Sequence, residues 1–302
     1  ILANGLSHLY ETREFRIFTI CFVIGLLTFY SYLTIRQNNY WKDPVIFYKR
    51  ALEFAPRSSI LYNNLGKAYI DIGENEKAIS LLEKAIEINQ KNIIAYNNLG
   101  AIYNNMGKKD KAVNLFRKAI EIDPNYMATY NNLVRTYDSM GKKEEAMALC
   151  KKAIEIGPYY ADIYYTLGNI YANMDRKEES IEAYRQAVKI NPTFVDAHNN
   201  LCDEYAVIGN NEEAIKSCKK AIQINPSFSK AHYNLGNAYA NIAKFEESIK
   251  AYKKAIEIEP NYIEAYNNLA SIYSDIGKVE EAIALWNEAV EIDPNFSVAH
   301  FN

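Results

Sequence analysis

Histidines are the first residues in this chain that could bind a metal or transfer a proton. Three of the four, His198, His232 and His300, stand at one position of a repeated segment that holds tyrosine in other copies. They are one copy or more apart, whereas zinc needs three or four ligands that converge at about 2 Å. We therefore interpret them as packing residues and predict no metal site. His8 is isolated in the sequence.

Cysteines could bind zinc or exchange disulfides, but the sequence contains no C-x-x-C motif. Cys21 lies in an apolar segment near the start, and Cys150, Cys202 and Cys218 occupy positions within the repeats. We interpret the cysteines of the repeats as buried free thiols, because cysteine often serves as a small core residue. The alternative is a disulfide between Cys202 and Cys218, which an oxidising compartment would favour.

Other catalytic groups form no recognisable site. Carboxylates recur near the end of almost every copy of the repeat, which indicates architecture rather than a single active site. There is no glycine-rich phosphate loop, nucleophile elbow or H-E-x-x-H motif. The 34 basic and 37 acidic residues are interspersed, with a net charge of −3, so the sequence lacks a basic stripe for nucleic acid. We predict no catalytic residue, no cofactor and no nucleic-acid partner.

Asparagines are the most regular polar residues of the chain. Six directly precede a leucine that recurs in every copy, and five more stand one place earlier. The two groups are Asn64, Asn98, Asn132, Asn200, Asn234 and Asn268, and Asn63, Asn97, Asn131, Asn199 and Asn267. An amide offers two donors and an acceptor, so a row of amides could bind the backbone of an extended peptide. The alternative is that these residues cap helices or hydrogen-bond between neighbouring repeats. Asparagine is unfavourable inside a helix, so its repeated use needs a reason, and we favour peptide binding.

The elements that position these residues come from a 34-residue repeat, which runs over residues 59–296 without insertion or deletion. Each copy has a leucine and, four places later, a tyrosine. The leucines are Leu65, Leu99, Leu133, Leu167, Leu201, Leu235 and Leu269. A fixed period of this size indicates a solenoid.

Each copy predicts two helices. In the first copy, Leu65 and Tyr69 belong to an apolar set at helical spacing, and Gly73 can end that helix in a left-handed conformation. A second apolar run begins at Ala78. Six of the seven copies then close on proline, which stops the second helix. We expect Gly66 to lie where the two helices cross most closely, because a larger side chain there would separate their axes.

This pattern of aromatic, Leu-Gly, Tyr, Ala, bulky, Ala and Pro positions resembles the tetratricopeptide repeat over residues 59–296. The resemblance implies a right-handed superhelix whose first helices line a concave wall. The asparagine row is similar to the asparagine ladder of O-linked N-acetylglucosamine transferases, which implies peptide binding along that wall. Other wall positions are mixed in charge and include Arg135, Asn169, Asn173 and Asp203. Three positions of the pattern vary in some copies: the glycine after the leucine, the glycine of the turn, and the first alanine of the second helix. We expect local loosening or small changes in helix crossing there.

Residues 17–35 carry no charge and are bracketed by Arg16 and Arg36. Nineteen such residues can span the hydrocarbon core of a membrane, and Tyr40 and Trp41 suit the interface that follows. We predict a transmembrane helix over residues 17–35, with a buried helix packed on the first repeat as the alternative. We expect residues 1–16 to be a loop or interfacial segment.

Residues 36–58 predict a junction followed by half a repeat, in which Tyr48, Ala51 and Pro56 take the bulky, alanine and proline positions. The stretch from Arg36 to Asp43 resembles the join between membrane part and repeats in multi-pass mannosyltransferase-like, polyprenyl-phosphate-sugar-dependent glycosyltransferases. That resemblance implies a catalytic part upstream and repeats outside the cytoplasm. The basic residues after the apolar segment favour the cytoplasmic side, and we give the resemblance slightly more weight.

The sequence thus predicts an all-α, right-handed solenoid of seven full repeats with partial repeats at both ends, preceded by one transmembrane helix. The repeats are 59–92, 93–126, 127–160, 161–194, 195–228, 229–262 and 263–296, and residues 297–302 open an eighth. We expect a fragment of a longer, membrane-tethered scaffold that binds extended polypeptides or partner proteins. One alternative is the acceptor-binding tail of a membrane glycosyltransferase. Another is an assembly protein that oligomerises through its convex face or its ends.

Overall fold

The structure, a computed structural model, describes residues 13–294. The segments expected at residues 1–12 and 297–302, with His8 and His300, lie outside the described residues. Within residues 13–294 every regular element is a helix, so the predicted all-α fold is confirmed. In chain order the helices are α1 (Arg13–Lys42), α2 (Pro44–Phe54), α3 (Ser59–Asp71), α4 (Asn75–Ile88), α5 (Ile93–Asn105), α6 (Lys109–Ile122), α7 (Met127–Ser139), α8 (Lys143–Ile156), α9 (Ala161–Ala172), α10 (Lys177–Ile190), α11 (Val195–Val207), α12 (Asn211–Ile224), α13 (Ser229–Ala240), α14 (Phe245–Ile258), α15 (Ile263–Asp275) and α16 (Val279–Ile292).

From α3 onward, the helices alternate as the first and second helices of repeats 1 to 7. The chain divides into two compact units, Ile1–Ile122 and Asp123–Asn302. Within each unit, the two helices of a repeat pack as a pair, and the second helix packs against the first helix of the next repeat. First helices of successive repeats also contact one another, as α7 contacts α9 and α11 contacts α13. The first helices therefore lie side by side along one wall of the unit.

The N-terminal helix is longer than the apolar segment that predicts it. α1 begins at Arg13 and ends at Lys42, so residues 13–16 are helical rather than a loop, and the helix continues past the expected end at residue 35. The window Ile17–Thr34 has a mean hydropathy of 1.9, and none of it is buried. By length and composition this window can cross a membrane, and it does not pack into the repeat core as the buried-helix alternative requires.

The half repeat is a helix that completes the core of repeat 1. The Asp43 carboxylate accepts hydrogen bonds from the backbone N–H of Val45 (2.8 Å) and Ile46 (3.3 Å), which caps α2. Pro44 at the first helical position needs no hydrogen-bond partner for a backbone N–H. Val45, Tyr48 and Leu52 of α2 pack against the buried cluster of repeats 1 and 2, which includes Leu65 and Leu82. α2 therefore covers the apolar end that repeat 1 would otherwise expose.

The two helices of a repeat cross where the sequence predicts, at the glycine after the repeat leucine. A Cβ added to Gly66 would lie 2.9 Å from Leu82 Cγ, and one added to Gly236 would lie 2.5 Å from Tyr252 Cε1. Such contacts are closer than packed atoms tolerate, so a bulky residue on the second helix requires glycine on the first. In repeat 3 the larger Val134 replaces this glycine, and the small Cys150 takes the facing position.

The prediction of free thiols is wrong for repeat 5. Cys202 takes the glycine position there and Cys218 the facing position, and their sulfurs form a disulfide with the Cα atoms 5.2 Å apart. Both residues are completely buried. The prediction is confirmed for Cys150, a buried free thiol whose pKa is raised to about 12 by burial. Cys21 is free and exposed.

The turn between the two helices has one left-handed residue in every full repeat. In five repeats this is glycine, with Gly277 at φ 80° as one example. In repeats 4 and 6 the position holds Asp175 (φ 58°) and Ala243 (φ 55°), and the first helices α9 and α13 each end one residue earlier than their counterparts. These copies therefore keep the tight turn rather than loosen it, and the non-glycine residues bear the strain.

Candidate peptide-binding groove

The main functional candidate is a cavity of about 670 Å³ on the first-helix wall of the second unit. Repeats 3, 4 and 5 contribute their first helices, α7, α9 and α11. Residues three, four or seven places apart lie on one face of a helix, and Asp162, Tyr165 and Asn169 of α9 follow this spacing. Asn131 and Arg135 of α7 do the same from one side. The cavity is therefore built mainly by regular helices, with Asn173 and Phe194 at helix ends.

Most of the asparagines predicted to bind peptide hydrogen-bond between repeats instead. In the first unit, Asn98 Nδ2 donates to Asn63 Oδ1 (3.0 Å). In the second unit, Asn234 Nδ2 donates to Asn199 Oδ1 (3.1 Å). The residue before the repeat leucine thus donates to the residue two places before the leucine of the preceding repeat. Repeat packing, the alternative named for this row, accounts for these bonds.

The threonine that interrupts the row follows the same rule, since Thr166 Oγ1 donates to Asn131 Oδ1 at 2.7 Å. Between repeats 4 and 5 a tyrosine joins the bonding. Asn200 Nδ2 donates to Asn169 Oδ1 (3.0 Å) and to the Tyr184 hydroxyl (3.2 Å), and that hydroxyl donates to Asn169 Oδ1 (2.6 Å). An amide and a buried phenol are thereby satisfied together.

A similar network recurs between repeats 6 and 7. Asn268 Nδ2 donates to Asn237 Oδ1 (3.0 Å) and to the Tyr233 hydroxyl (3.1 Å), and the Tyr252 hydroxyl donates to Asn237 Oδ1 (2.6 Å). Burial raises the pKa of Tyr184, and it raises that of Tyr252 to about 12. Both phenols therefore stay protonated and act as donors at neutral pH.

In three repeats the two predicted asparagines also bond to each other. Asn63, Asn199 and Asn267 donate to Asn64, Asn200 and Asn268 respectively, at 3.2 to 3.5 Å. Asn267 Oδ1 also accepts from Trp286 Nε1 (3.2 Å). Asn97 is buried and Asn132 is half buried. Of the eleven predicted residues only Asn131 and Asn200 line the cavity, so the structure does not bring the row together as one continuous exposed surface.

Aromatic residues also line the cavity, and reasoning from the asparagine spacing missed them. The Tyr165 ring lies 4.8 Å from the Phe194 ring and 5.8 Å from the Tyr184 ring, centroid to centroid. Tyr165 stands at a position that holds asparagine in most copies. Its placement four residues before the predicted wall residue Asn169 is the signal that could have identified it.

Carboxylates give the cavity its electrostatic character. Glu204 is buried, and its Oε2 lies 3.6 Å from Lys177 Nζ, which is also 3.3 Å from Asp175. Burial raises the pKa of Glu204, and the Lys177 charge lowers it in part. Asp203 is accessible to solvent, yet the surrounding protein removes enough hydration to raise its pKa, again against the charge of Lys177. Both carboxylates are therefore held in a setting that disfavours their ionised form.

The histidines make local contacts to the backbone. His198 Nε2 lies 3.1 Å from the carbonyl oxygen of Pro192, and His232 Nε2 lies 3.0 Å from that of Pro226. Burial lowers the pKa of His198. Across the part of the chain that the structure describes, no group of three or more histidine, cysteine or carboxylate side chains is arranged to hold a metal ion.

Comparison with known families identifies the repeat. Models described as tetratricopeptide repeat or TPR repeat match residues 47–80, 66–107, 93–126, 127–157, 161–194, 203–242, 229–262 and 251–284. These ranges together cover more than half of the chain. The chain belongs to the tetratricopeptide repeat family. The expected resemblance of the junction to glycosyltransferases finds no support in these matches.

Two solved structures are similar to this chain in fold. The Cut9–Hcn1 hetero-tetramer structure of the APC/C matches with a TM-score of 0.63 and 17% identity, over 85% of this chain and 50% of that one. MamA residues 41–end from Desulfovibrio magneticus RS-1 matches with a TM-score of 0.52 and 19% identity, over 56% of this chain and 96% of that one. These likenesses concern the fold alone.

A third structure, YrrB, is described as a TPR protein with an unusual peptide-binding site. It covers 72% of this chain and 95% of its own length at 20% identity, with a TM-score of 0.44. At that score the likeness carries no argument about binding in the present chain. No curated protein matches the sequence.

Proposed function

We propose that this tetratricopeptide repeat protein is a scaffold, tethered to a membrane by α1, that binds extended polypeptide segments on its first-helix wall. The observation that carries the proposal is the cavity of about 670 Å³ in the second unit. Its size is in the range of about 300–1,000 Å³ found for ligand sites. Its walls offer amide, hydroxyl and charged groups beside aromatic rings, which suits the polar backbone and mixed side chains of a peptide.

In this proposal the predicted asparagines are not the main groups that bind the peptide. Asn131 and Asn200 line the cavity, but each already takes part in a hydrogen bond to a neighbouring repeat. Residues that line the cavity and have exposed side chains, such as Arg135 and Asn173, are better placed to contact a ligand without loss of packing. We therefore infer that the amides of the row set the spacing of the wall and that these neighbours bind.

Membrane tethering is supported by the 30-residue α1, whose apolar window is wholly unburied. The Cys202–Cys218 disulfide supports repeats on the extracytoplasmic side, since such bonds persist mainly in oxidising compartments. Accessibility of the repeats to a protease added outside intact cells tests this side directly. Protection of the repeats until the membrane is permeabilised would contradict it.

The second candidate function is the acceptor-binding tail of a multi-pass membrane glycosyltransferase. Its support is the resemblance at residues 36–43, followed by the short helix α2 that joins α1 to the repeats. The reading frame upstream of Ile1 distinguishes the two candidates. Several further apolar spans with acidic residues in an early loop would favour the enzyme tail, and a nearby start codon would leave the scaffold.

The test of peptide binding uses the full 302-residue chain in lipid nanodiscs. A phage-displayed library of random twelve-residue peptides is selected on it, and binding of the enriched peptides is measured by fluorescence anisotropy. We expect Asn173→Ala to bind the peptides about fivefold more weakly, because the exposed amide of Asn173 offers hydrogen bonds to a ligand in the cavity.

The matched control is Glu155→Ala on α8, the second helix of repeat 3, where the side chain is exposed. It should bind the peptides as the unmodified chain does. Failure of the library to yield any binding peptide would overturn the proposal. Equal binding by the groove and control variants would show that the cavity is not the peptide-binding site.

A further inference from the structure

The cavity on the wall of repeats 3 to 5 has an excess of negative charge. Four carboxylates line it, those of Asp138, Asp162, Asp203 and Glu204, against the single guanidinium of Arg135. The first helices of the adjacent repeats carry the amides Asn169 and Asn237 where repeat 5 carries Asp203. The negative charge at the Asp203 position is therefore specific to repeat 5 among these neighbours.

Three of these carboxylates have no ionic partner of their own. Lys177 is shared between Asp175 and Glu204, at 3.3 and 3.6 Å, so its charge is already engaged. Among residues 13–294, the side chains of Asp138, Asp162 and Asp203 form no ion pair and no hydrogen bond, although the more distant Lys177 charge acts on Asp203. A cation that enters the cavity could therefore pair with these carboxylates without breaking an existing ion pair.

Aromatic rings stand beside these carboxylates. Tyr165 and Phe194 both line the cavity, with their ring centroids 4.8 Å apart. A guanidinium or ammonium group is attracted to the face of such a ring, and a guanidinium can stack on a ring while its N–H groups reach a carboxylate. Carboxylates and aromatic faces in one cavity both favour a cationic ligand group, on independent physical grounds.

The setting of Asp203 agrees with this. Its pKa is raised because surrounding protein removes hydration, and the Lys177 charge offsets only part of that effect. A bound cation would supply the counter-charge that the carboxylate lacks. Arg135 lies in the same cavity and would favour an acidic ligand group. The carboxylates outnumber it, so the balance favours a cation.

We propose that the cavity recognises extended peptides through an arginine or lysine side chain that binds against Asp162 and Asp203 beside the Tyr165 and Phe194 rings. This inference rests on the proposed peptide-binding function and names the class of partner for that site. The backbone of the peptide would follow the wall, and the cationic side chain would enter the cavity. Peptides without a basic residue at that place would bind weakly.

The test starts from the phage-displayed twelve-residue library selected on the full chain in nanodiscs. We expect arginine or lysine to be enriched at one position of the bound peptides. The best peptide is then made in two forms, one with arginine and one with the neutral isostere citrulline at that position. The citrulline form should bind about tenfold more weakly.

The variant Asp162→Asn/Asp203→Asn should bind the two forms equally, since it removes the charge and keeps the shape of both side chains. The control variant Glu144→Gln/Glu155→Gln removes the same charge from exposed positions on α8 and should keep the preference for arginine. Circular dichroism confirms that both variants fold.

The possible outcomes distinguish a failure of this inference from a failure of the proposed peptide-binding function. Bound peptides with no enrichment of basic residues, or with enrichment of acidic ones, would overturn the inference and leave peptide binding intact. The inference also fails, with peptide binding intact, if Asp162→Asn/Asp203→Asn still prefers arginine over citrulline. If no peptide binds at all, the proposed function and the inference both fail.

Discussion

At the scale of single residues, the asparagine row serves first to join repeats. An amide at this position both accepts and donates, so one residue type can satisfy the polar groups of two neighbouring first helices. The structure makes such bonds in both units, as with Asn98 to Asn63 and Asn234 to Asn199. A stability measurement can therefore separate joining residues from binding residues.

Replacement of a joining residue should destabilise the second unit. In Asn200→Ala the bonds to Asn169 and Tyr184 are lost, and the buried Tyr184 hydroxyl keeps only its bond to Asn169. We expect a loss of about 1–2 kcal/mol in the free energy of unfolding, measured by urea titration with circular dichroism. Asn173→Ala, at an exposed cavity position, should change it by less than about 0.5 kcal/mol. Equal stability of both variants would contradict the joining role.

Ionisation of the Asp203 carboxylate should destabilise the folded chain at neutral pH. Its pKa is higher in the folded chain than its ordinary value, so the folded state holds the proton more tightly than the unfolded state. The ionised form therefore opposes folding above the raised pKa, and this penalty disappears as the pH falls below the ordinary value of about 4. Asp203→Asn should melt at a higher temperature than the unmodified chain at pH 7, and the difference should shrink toward pH 4. A difference that is absent at pH 7, or that grows on acidification, would contradict the electrostatic setting described for Asp203.

At the scale of elements, the turn between the helices of a repeat depends on one left-handed residue. Ala243 adopts φ 55° where five other repeats have glycine. A left-handed conformation costs an L-residue with a Cβ roughly 1–2 kcal/mol. Repeats 4 and 6 therefore carry strain at the turn that glycine would relieve.

Reciprocal substitutions at this turn should have opposite effects. Ala243→Gly should stabilise the second unit by about 1 kcal/mol, and Gly277→Ala at the equivalent position of repeat 7 should destabilise it by a similar amount. Thermal unfolding followed by circular dichroism measures both. The same sign of change in the two variants would show that the left-handed conformation does not decide stability here.

The disulfide of repeat 5 joins its two helices at their crossing. It closes a loop between residues sixteen apart in sequence, and such loops contribute about 3 kcal/mol by the chain-entropy model. Cys202→Ala/Cys218→Ala should lower the free energy of unfolding by about that amount, measured in urea without reductant. Cys150→Ala, which leaves the disulfide in place, provides the control for loss of a buried cysteine. In mass spectrometry after denaturation and alkylation without reductant, Cys202 and Cys218 should remain unlabelled, and labelling of both would contradict the bond.

At the scale of the whole molecule, the repeat period determined what could be predicted. Leucine, tyrosine and alanine recur at fixed spacing, so the helix pairs, their turns and their close crossing at Gly66 followed from sequence alone. The sequence could not decide between a disulfide and two free thiols, because Cys202 and Cys218 are also acceptable as small core residues. Only the crossing geometry, with 5.2 Å between their Cα atoms, distinguishes the two states.

The candidate site was predicted in part. Arg135, Asn169, Asn173 and Asp203 were placed on the wall by their position in the first helix, and all four line the cavity. Bonding between neighbouring repeats was the alternative for the asparagine row, but the individual partners could not be predicted, because a sequence gives the face of a helix but not the partner across a repeat boundary. Tyr165 was overlooked because it stands at an asparagine position of the repeat, and the prediction considered only the asparagines at that position.

The central claim is that the first-helix wall of the second unit binds an extended polypeptide, and site-specific photo-crosslinking tests it most directly. A photoreactive benzoylphenylalanine replaces Asn173 in the cavity or, in a control protein, Glu155 on the exposed face of α8. Each full-length protein is irradiated in nanodiscs with the best library peptide, and the products are mapped by mass spectrometry. Peptide binding on this wall predicts a crosslink from position 173 that excess unlabelled peptide abolishes, and none from position 155. Crosslinks of equal yield from both positions, or from position 155 alone, would contradict it.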